Sequence, residues 1–123
     1  MTYKYFKLSE FQCPTLEGDA NMCPLFMARI TEAREIANIP FIINSGYRTP
    51  EHNASISGSV KNSSHTNIPC NAADIRVSNS TERYKILKAC LAAGFRRVGI
   101  GKGFIHIDTD NTNKSPDVIW CYY

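Results

Sequence analysis

The sequence predicts one α+β domain in which helices pack on one face of a small antiparallel sheet. Two observations support this fold class. The chain has 123 residues, the usual length of one compact domain. Helical patterns dominate its front part and several short strand patterns follow, which indicates an α+β arrangement. We therefore expect residues 1–123 to form a single domain.

The longest predicted helix lies in the first third of the chain. Apolar residues recur at helical spacing over about Pro24 to Ala37, and proline suits the first helical position because its missing amide hydrogen costs nothing there. A short helical turn is expected before it, within Phe6 to Cys13, with Ser9 as the cap. The long helix should place an apolar face on the core, comprising Leu25, Ile30, Ala33, Ile36 and Ala37.

Two further helix starts carry capping residues. Thr49 precedes Pro50 and Glu51, which gives a cap, a first-turn proline and an acid near the positive end of the helix dipole. Ser80 is the expected cap of a last helix, and Gly94 is its expected stop. The apolar face of that helix is predicted to comprise Tyr84, Ile86, Leu87, Cys90 and Leu91.

Short runs rich in β-branched residues predict five strands. The strand that begins at Phe104 projects His106 and Asp108 from one face, while Ile105 and Ile107 point to the other, because side chains alternate along a strand. Its neighbour in the chain is joined to it by a glycine-rich turn, which favours a hairpin. The predicted strands are Phe41 to Ser45, Ala72 to Val77, Phe95 to Gly101, Phe104 to Thr109 and Val118 to Tyr122.

Composition and charge exclude several classes of function. Hydrophobic residues make up 43% and charged residues 20%, as in ordinary globular domains, and no apolar run is long enough to enter a membrane as a spanning helix. The net charge is +3 without a basic stripe, so we expect no nucleic-acid partner. The beginning of the chain lacks a signal-peptide pattern. Nothing in it directs export by the general secretory route. We expect a monomer.

The five cysteines form an odd set without a Cys-x-x-Cys pair. This pattern argues against a disulfide framework and against a cysteine-rich zinc site. We expect most of them to be reduced and Cys90 to lie in the core. A disulfide between Cys13 and Cys23 stays open as an alternative.

Two histidines and an aspartate suit a metal centre. His65 and Asp74 flank a short loop, and His106 offers a third ligand from another strand. Imidazole and carboxylate groups are common zinc ligands, and three protein ligands leave a position for water, as catalytic zinc sites do. The alternative is that the histidines are hydrogen-bonded core residues and that Asp74 is a cap or a turn former.

Four ordered motifs resemble the zinc D-alanyl-D-alanine carboxypeptidase family, whose fold is shared by the hedgehog signalling domain. The motifs are Ile43-Asn44-Ser45-Gly46-Tyr47-Arg48-Thr49-Pro50-Glu51-His52-Asn53, Ser63-x-His65, Ala72-Ala73-Asp74-Ile75 and Phe104-Ile105-His106-Ile107-Asp108. The resemblance covers most of the chain. It implies a hedgehog-like fold and cleavage of peptidoglycan peptides, as phage and bacterial members perform. Together with the missing signal peptide, it implies a phage or prophage product that is made in the host cytoplasm and delivered to the cell wall.

The resemblance also implies roles for individual residues. His65, Asp74 and His106 would bind Zn²⁺, and Arg48 would contact the substrate carboxylate or the oxyanion that forms during attack. Ser63 would line the site as a hydrogen-bonding residue, unless it is an ordinary loop residue. The implied activity is that of a D-Ala-D-Ala carboxypeptidase or a cell-wall endopeptidase such as a phage endolysin. A zinc-containing cell-wall binding module without catalysis is the alternative.

Two departures from the family pattern affect these roles. His65 and Asp74 are nine positions apart, a longer spacing than is usual, so Cys70 either approaches the metal or stays a loop residue. Many members carry an acid three residues before the last histidine, where this chain has Gly103. We expect Asp108 to replace it as the general base, with Asp110 as second choice. Alternatively, Asp108 orients a ligand or a neighbouring arginine.

Overall fold

The computed structural model describes residues 3–122 and confirms the α+β class. Its helices are α1 (Pro24–Ala37), α2 (Pro50–Ser55) and α3 (Ser80–Ala92), and 3-10 turns lie at Leu8–Phe11 and Ser64–Thr66. Its strands are β1 (Ile43–Ser45), β2 (Ala72–Arg76), β3 (Arg97–Ile100), β4 (Phe104–Asp108) and β5 (Val118–Cys121). None of the helices found between residues 3 and 122 is long and apolar enough to cross a membrane.

The five strands form one sheet in the order β1-β2-β4-β3-β5. The strand pairs are antiparallel, as predicted, except that β5 pairs with β3 in parallel. The connectivity explains this difference. Strand β4 ends beside the start of β3, and the other edge of β4 is already paired with β2. The chain therefore adds β5 next to β3, and β5 runs in the same direction as β3.

The two faces of the sheet have different surroundings. Ala73 pairs with Ile107, and Ile75 pairs with Ile105, and these four fully buried residues belong to the core that includes side chains of α1 and α3. The alternate residues of the same strands point to the opposite face. Polar side chains of β2 and β4 therefore project away from the helices that cover the core.

The buried faces of α1 and α3 differ in part from the prediction. Leu25 and Tyr84 are more than half exposed, at 63% and 64%, and Ile36 and Leu91 are also exposed. The buried stripes instead comprise Phe26, Met27, Ile30 and Ala33 on α1, and Ile86, Ala89 and Cys90 on α3. Both helices are apolar over a wider arc than the core covers, so the pattern alone did not fix their rotation.

The predicted helix cap is confirmed at α2 and wrong at α3 and at the first 3-10 turn, where Lys7 and not Ser9 precedes the turn. The Thr49 hydroxyl accepts a hydrogen bond from the amide of His52, and Pro50 is the first helical residue. At α3 the cap is Asn79 rather than Ser80, since its side chain accepts from the amide of Glu82 at 2.8 Å. Asparagine and serine are comparable caps, so the sequence alone does not decide which of the two neighbours caps the helix.

The cysteines among the described residues are free thiols, so the possible pairing of Cys13 with Cys23 is wrong. The buried Cys13 sulfur instead contacts the hydroxyl of Thr15 at 3.2 Å and the amide of Thr49 at 3.5 Å. Cys23 donates its amide hydrogen to the carbonyl of Cys70 at 2.8 Å. Cys90 is fully buried in the core, as predicted.

Candidate metal centre

Side chains from three separate elements converge on the polar face of the sheet. His65 comes from the 3-10 turn Ser64–Thr66, Asp74 from the middle of β2 and His106 from the middle of β4. Asp74 and His106 are direct partners in the register of these strands. One ligand atom of each residue lies within 4.8 Å of the others. The structure therefore brings together all three residues that the sequence suggested as ligands.

The orientation of His65 is fixed by its neighbours. Its Nδ1 lies 2.6 Å from the carbonyl oxygen of Gly46, which can only accept, so Nδ1 carries the hydrogen. Nε2 faces Asp74 and lies 3.2 Å from its Oδ1. The amide of His65 donates to Ser63 Oγ, so that serine caps the turn that presents the imidazole. A Cβ on Gly46 would lie 2.5 Å from the Phe11 carbonyl oxygen, which explains the glycine.

His106 faces the cluster with its other ring nitrogen, Nδ1. Its Nε2 lies 2.7 Å from Oδ2 of Asp108, and its Nδ1 lies 2.9 Å from Oδ1 of Asp74. With its hydrogen on Nε2, donated to Asp108, the ring faces the cluster with Nδ1. Metal-binding histidines in proteins almost always donate their second ring nitrogen to such a carboxylate or carbonyl.

The position of Asp108 argues against its expected role as general base. It is 1% exposed, and its Oδ1 accepts from Arg97 Nε at 2.7 Å and from the amide of Asp110 at 3.0 Å. It lies on the side of the His106 ring that faces away from Asp74. Residues two apart on a strand share a face. Here the shared face places the Asp108 carboxylate against the imidazole of His106 and not against the cluster. The alternative, an orienting role for His106 and Arg97, fits these contacts.

The side chain of Asp110, the second choice for a base, bonds to residues outside the metal cluster. Its Oδ2 accepts from the Ser64 hydroxyl at 2.7 Å and pairs with Lys114 at 3.1 Å. It does not line the cleft at the cluster. Asp110 therefore joins the loop after β4 to the turn that carries His65.

Charges inside the cluster are strongly coupled. Burial alone would raise the pKa of Asp74, but hydrogen bonds from His106 and His65 outweigh it and hold the pKa far below its usual range. Burial would lower the pKa of His106, yet its bonds to Asp108 and Asp74 raise it overall. The atoms that face one another in the cluster are Nε2 of His65, Nδ1 of His106 and Oδ1 of Asp74. Two imidazole nitrogens with a carboxylate oxygen form a ligand set that suits zinc.

Cys70 is not part of the cluster, so its possible role as a ligand is wrong. Its sulfur points at the carbonyl oxygens of His65 and Ala72, at 3.7 Å and 3.5 Å. Burial raises the pKa of its thiol to about 12, whereas a metal ligand must be a thiolate. The longer loop between His65 and Asp74 instead extends into solvent, where Ile68 is 66% exposed.

Arg48 lies beside the cluster and contacts three side chains. Its Nε donates to Ser45 Oγ at 2.9 Å, Nη1 to Asn53 Oδ1 at 3.2 Å, and Nη2 to Asp74 Oδ2 at 3.3 Å. Oδ2 of Asp74 is thereby occupied, which leaves Oδ1 for the two histidines. The guanidinium is mostly buried, with 14% of the side chain exposed.

The cluster lies in a cleft of about 900 Å³, which Arg48 and Ser63 also line. Aromatic rings form part of its wall: Trp120 lies 5.5 Å from the His106 ring, and Arg97 stacks over Trp120 at 5.0 Å. Sequence reasoning did not identify Trp120 or Arg97 as residues of the site. Gly99 on β3 pairs with His106 on one side and with Trp120 on the other. Trp120 therefore reaches the site through the parallel pairing of β5, which the sequence analysis did not predict.

Comparison with known proteins adds one finding. A family model described as Peptidase M15 matches residues 4–108, a span that includes His65, Asp74 and His106. No curated protein matches the chain.

Proposed function

Because this chain belongs to the peptidase M15 family, we propose that it is a zinc-dependent peptidase that cleaves peptide bonds in the peptidoglycan stem peptide. It would act as a D-Ala-D-Ala carboxypeptidase or as a cell-wall endopeptidase of the endolysin kind, in keeping with a phage or prophage origin. The observation that carries the proposal is the convergence of His65, Asp74 and His106 within 4.8 Å. In each imidazole, the nitrogen that faces away from the cluster contacts an acceptor, which is the carbonyl oxygen of Gly46 for His65 and Oδ2 of Asp108 for His106.

The three residues would hold Zn²⁺ through Nε2 of His65, Oδ1 of Asp74 and Nδ1 of His106. When bound, zinc supplies a Lewis acid that polarises the scissile carbonyl and activates water. Gly46 and Asp108 keep both rings in the tautomers that this binding needs. Arg48 holds the second oxygen of Asp74 and so limits rotation of that carboxylate.

Arg48 would also receive the negative charge of the substrate. A guanidinium has five N–H donors, and three of those of Arg48 are used by Ser45, Asn53 and Asp74. The remaining donors are free to bind a substrate carboxylate or a developing oxyanion. Ser63 lines the same cleft, which supports a contact with the peptide.

Turnover assays test the proposal. Purified protein with equimolar zinc is incubated with D-alanyl-D-alanine peptides and with purified peptidoglycan, and the products are identified by mass spectrometry. We expect zinc-dependent release of D-alanine or of shorter stem peptides, and none from the His106→Ala variant. Absence of products from the unmodified protein at full zinc occupancy would contradict the proposal.

One observation favours a second candidate, a zinc-bearing module that binds the cell wall without cutting it. Of the described residues that line the cleft, the carboxylates are Asp74 and Asp108, and each is already bonded to a histidine and an arginine. Gly103 occupies the place where many family members carry an acid. Zinc-dependent retention on purified peptidoglycan without any product would support this candidate.

A further inference from the structure

Asn53 is a buried polar residue next to the site that the proposed reaction does not use. It belongs to the six-residue helix α2 and is 4% exposed, although its neighbours Ala54 and Ser55 are exposed. A buried amide must be paired to be tolerated. The partners of Asn53 indicate what this residue does.

The amide group of Asn53 connects the site to the next segment of the chain. Its Oδ1 accepts from Arg48 Nη1 at 3.2 Å, and its Nδ2 donates to the carbonyl oxygen of Val60 at 2.9 Å. Its backbone carbonyl accepts from the hydroxyl of Ser59 at 2.6 Å. Both ends of the amide are therefore used, one toward the guanidinium and one toward the segment.

That segment forms a wall of the cleft. All seven residues from Ile56 to Asn62, here called the cleft wall, line it. Most residues of the wall are exposed, and Val60 is 63% exposed. Lys114 holds its far end by donating to the carbonyl of Asn62 at 2.7 Å. Asn53 thus supplies the anchor in the middle of the wall.

The same contacts extend to the metal ligands. Arg48, which Asn53 holds through Nη1, holds Asp74 through Nη2 at 3.3 Å. A displacement of the wall would therefore change the orientation of the guanidinium, and a substrate that binds the guanidinium would change the constraint on the wall.

We infer that Asn53 is a positioning residue that couples the cleft wall to Arg48, so that substrate contacts with the wall and the orientation of the guanidinium depend on each other. This inference rests on the proposed peptidase function. It assigns to Asn53 a role in substrate recognition rather than in folding alone.

Two substitutions separate the two ends of the amide. Asn53→Asp keeps an acceptor for Arg48 and removes the donor to Val60, whereas Asn53→Ala removes both. Ser55→Ala is the matched control, because Ser55 lies on the same helix and is exposed. Within residues 3–122, the bond of its hydroxyl is to the carbonyl of His52. Each variant is compared with the unmodified protein at equal zinc occupancy, by kcat, KM and amide hydrogen exchange of residues 56–62.

We expect Asn53→Asp to raise KM by about 10-fold with a smaller change in kcat, since a lost buried hydrogen bond has roughly that effect. Asn53→Ala should raise KM and lower kcat together. Both should accelerate exchange across the wall, and Ser55→Ala should change neither quantity. Unchanged KM, kcat and exchange in both Asn53 variants would overturn the inference, as would a loss of thermal stability with unchanged kinetics per folded molecule.

The test remains decisive if the unmodified protein does not turn over substrate, an outcome that contradicts the proposed function separately. Coupling is then measured by the Arg48 Nε–H resonance of ¹⁵N-labelled protein and by the exchange of residues 56–62. A shifted resonance in Asn53→Ala together with faster exchange supports the coupling. An unshifted resonance, or a wall that exchanges as in the unmodified protein, overturns it.

Discussion

The imidazole of His106 donates from Nε2 to Oδ2 of Asp108 at 2.7 Å, and the two residues are adjacent on the same face of β4. This bond directs Nδ1 of His106 at Asp74. Arg97 and the amide of Asp110 occupy the other oxygen of Asp108. The carboxylate therefore acts on the site through the histidine.

Asp108→Asn should weaken zinc binding by about 10- to 100-fold, the usual effect of losing a carboxylate behind a metal-binding histidine. Turnover should recover when zinc is raised to saturation, because the reacting groups are intact. Competition with a chelator of known affinity gives the zinc affinity, and assays over a zinc series give the recovery. Unchanged zinc affinity with turnover lost at saturating zinc would instead identify Asp108 as the general base.

Gly99→Ala should destabilise the protein by about 1–3 kcal/mol through overpacking. A Cβ there would lie 2.7 Å from Nε1 of Trp120 and 2.7 Å from Cε2 of Tyr122. Gly103→Ala is the control, because its Cβ would meet only the carbonyl of Val77, at 3.9 Å. Urea unfolding measures both changes. Equal stability of the two variants would contradict the packing of these rings over the strand.

The fold class and the three clustered residues could be predicted because they depend on local pattern and on recognisable motifs. His65, Asp74 and His106 each follow from a short stretch of sequence. The role of Asp108 could not be predicted in the same way. Strand alternation placed it on the same face as His106, but only the rotamer of the imidazole decides whether the carboxylate faces the cluster or the ring.

Other features depend on contacts between distant parts of the chain. The place of Trp120 follows from the parallel pairing of β5, which nothing in Val118 to Cys121 specifies. The burial of Cys70 follows from its backbone bonds to Asn21 and Cys23. Asn53 lies in a recognised motif, yet its partner Val60 is bound through a backbone carbonyl, which leaves no signature in the sequence.

Asp110→Asn should lower the free energy of unfolding at pH 7 by about 1–3 kcal/mol, because it removes the charge that pairs with Lys114 and accepts from Ser64. Burial opposes ionisation of Asp110, but hydrogen bonds from Ser64 and its neighbours lower its pKa below the ordinary 3.8. A lowered pKa stabilises the folded state above the ordinary value, and this contribution is lost as the pH falls through the folded value.

The stability difference between Asp110→Asn and the unmodified protein should therefore shrink as the pH falls below about 3.8. Urea unfolding from pH 7 to pH 3 in the presence of a chelator measures it without interference from bound metal. A difference that stays constant over this range would contradict the ionised network of Asp110.

The most direct test of the central claim is metal analysis of the purified protein combined with an anomalous difference map of its crystals at the zinc edge. We predict equimolar zinc and a single peak bounded by Nε2 of His65, Oδ1 of Asp74 and Nδ1 of His106. Zinc should be lost in His106→Ala and retained in Cys70→Ser. A zinc-reconstituted protein without this peak, a peak at another place, or full zinc content in His106→Ala would contradict the account.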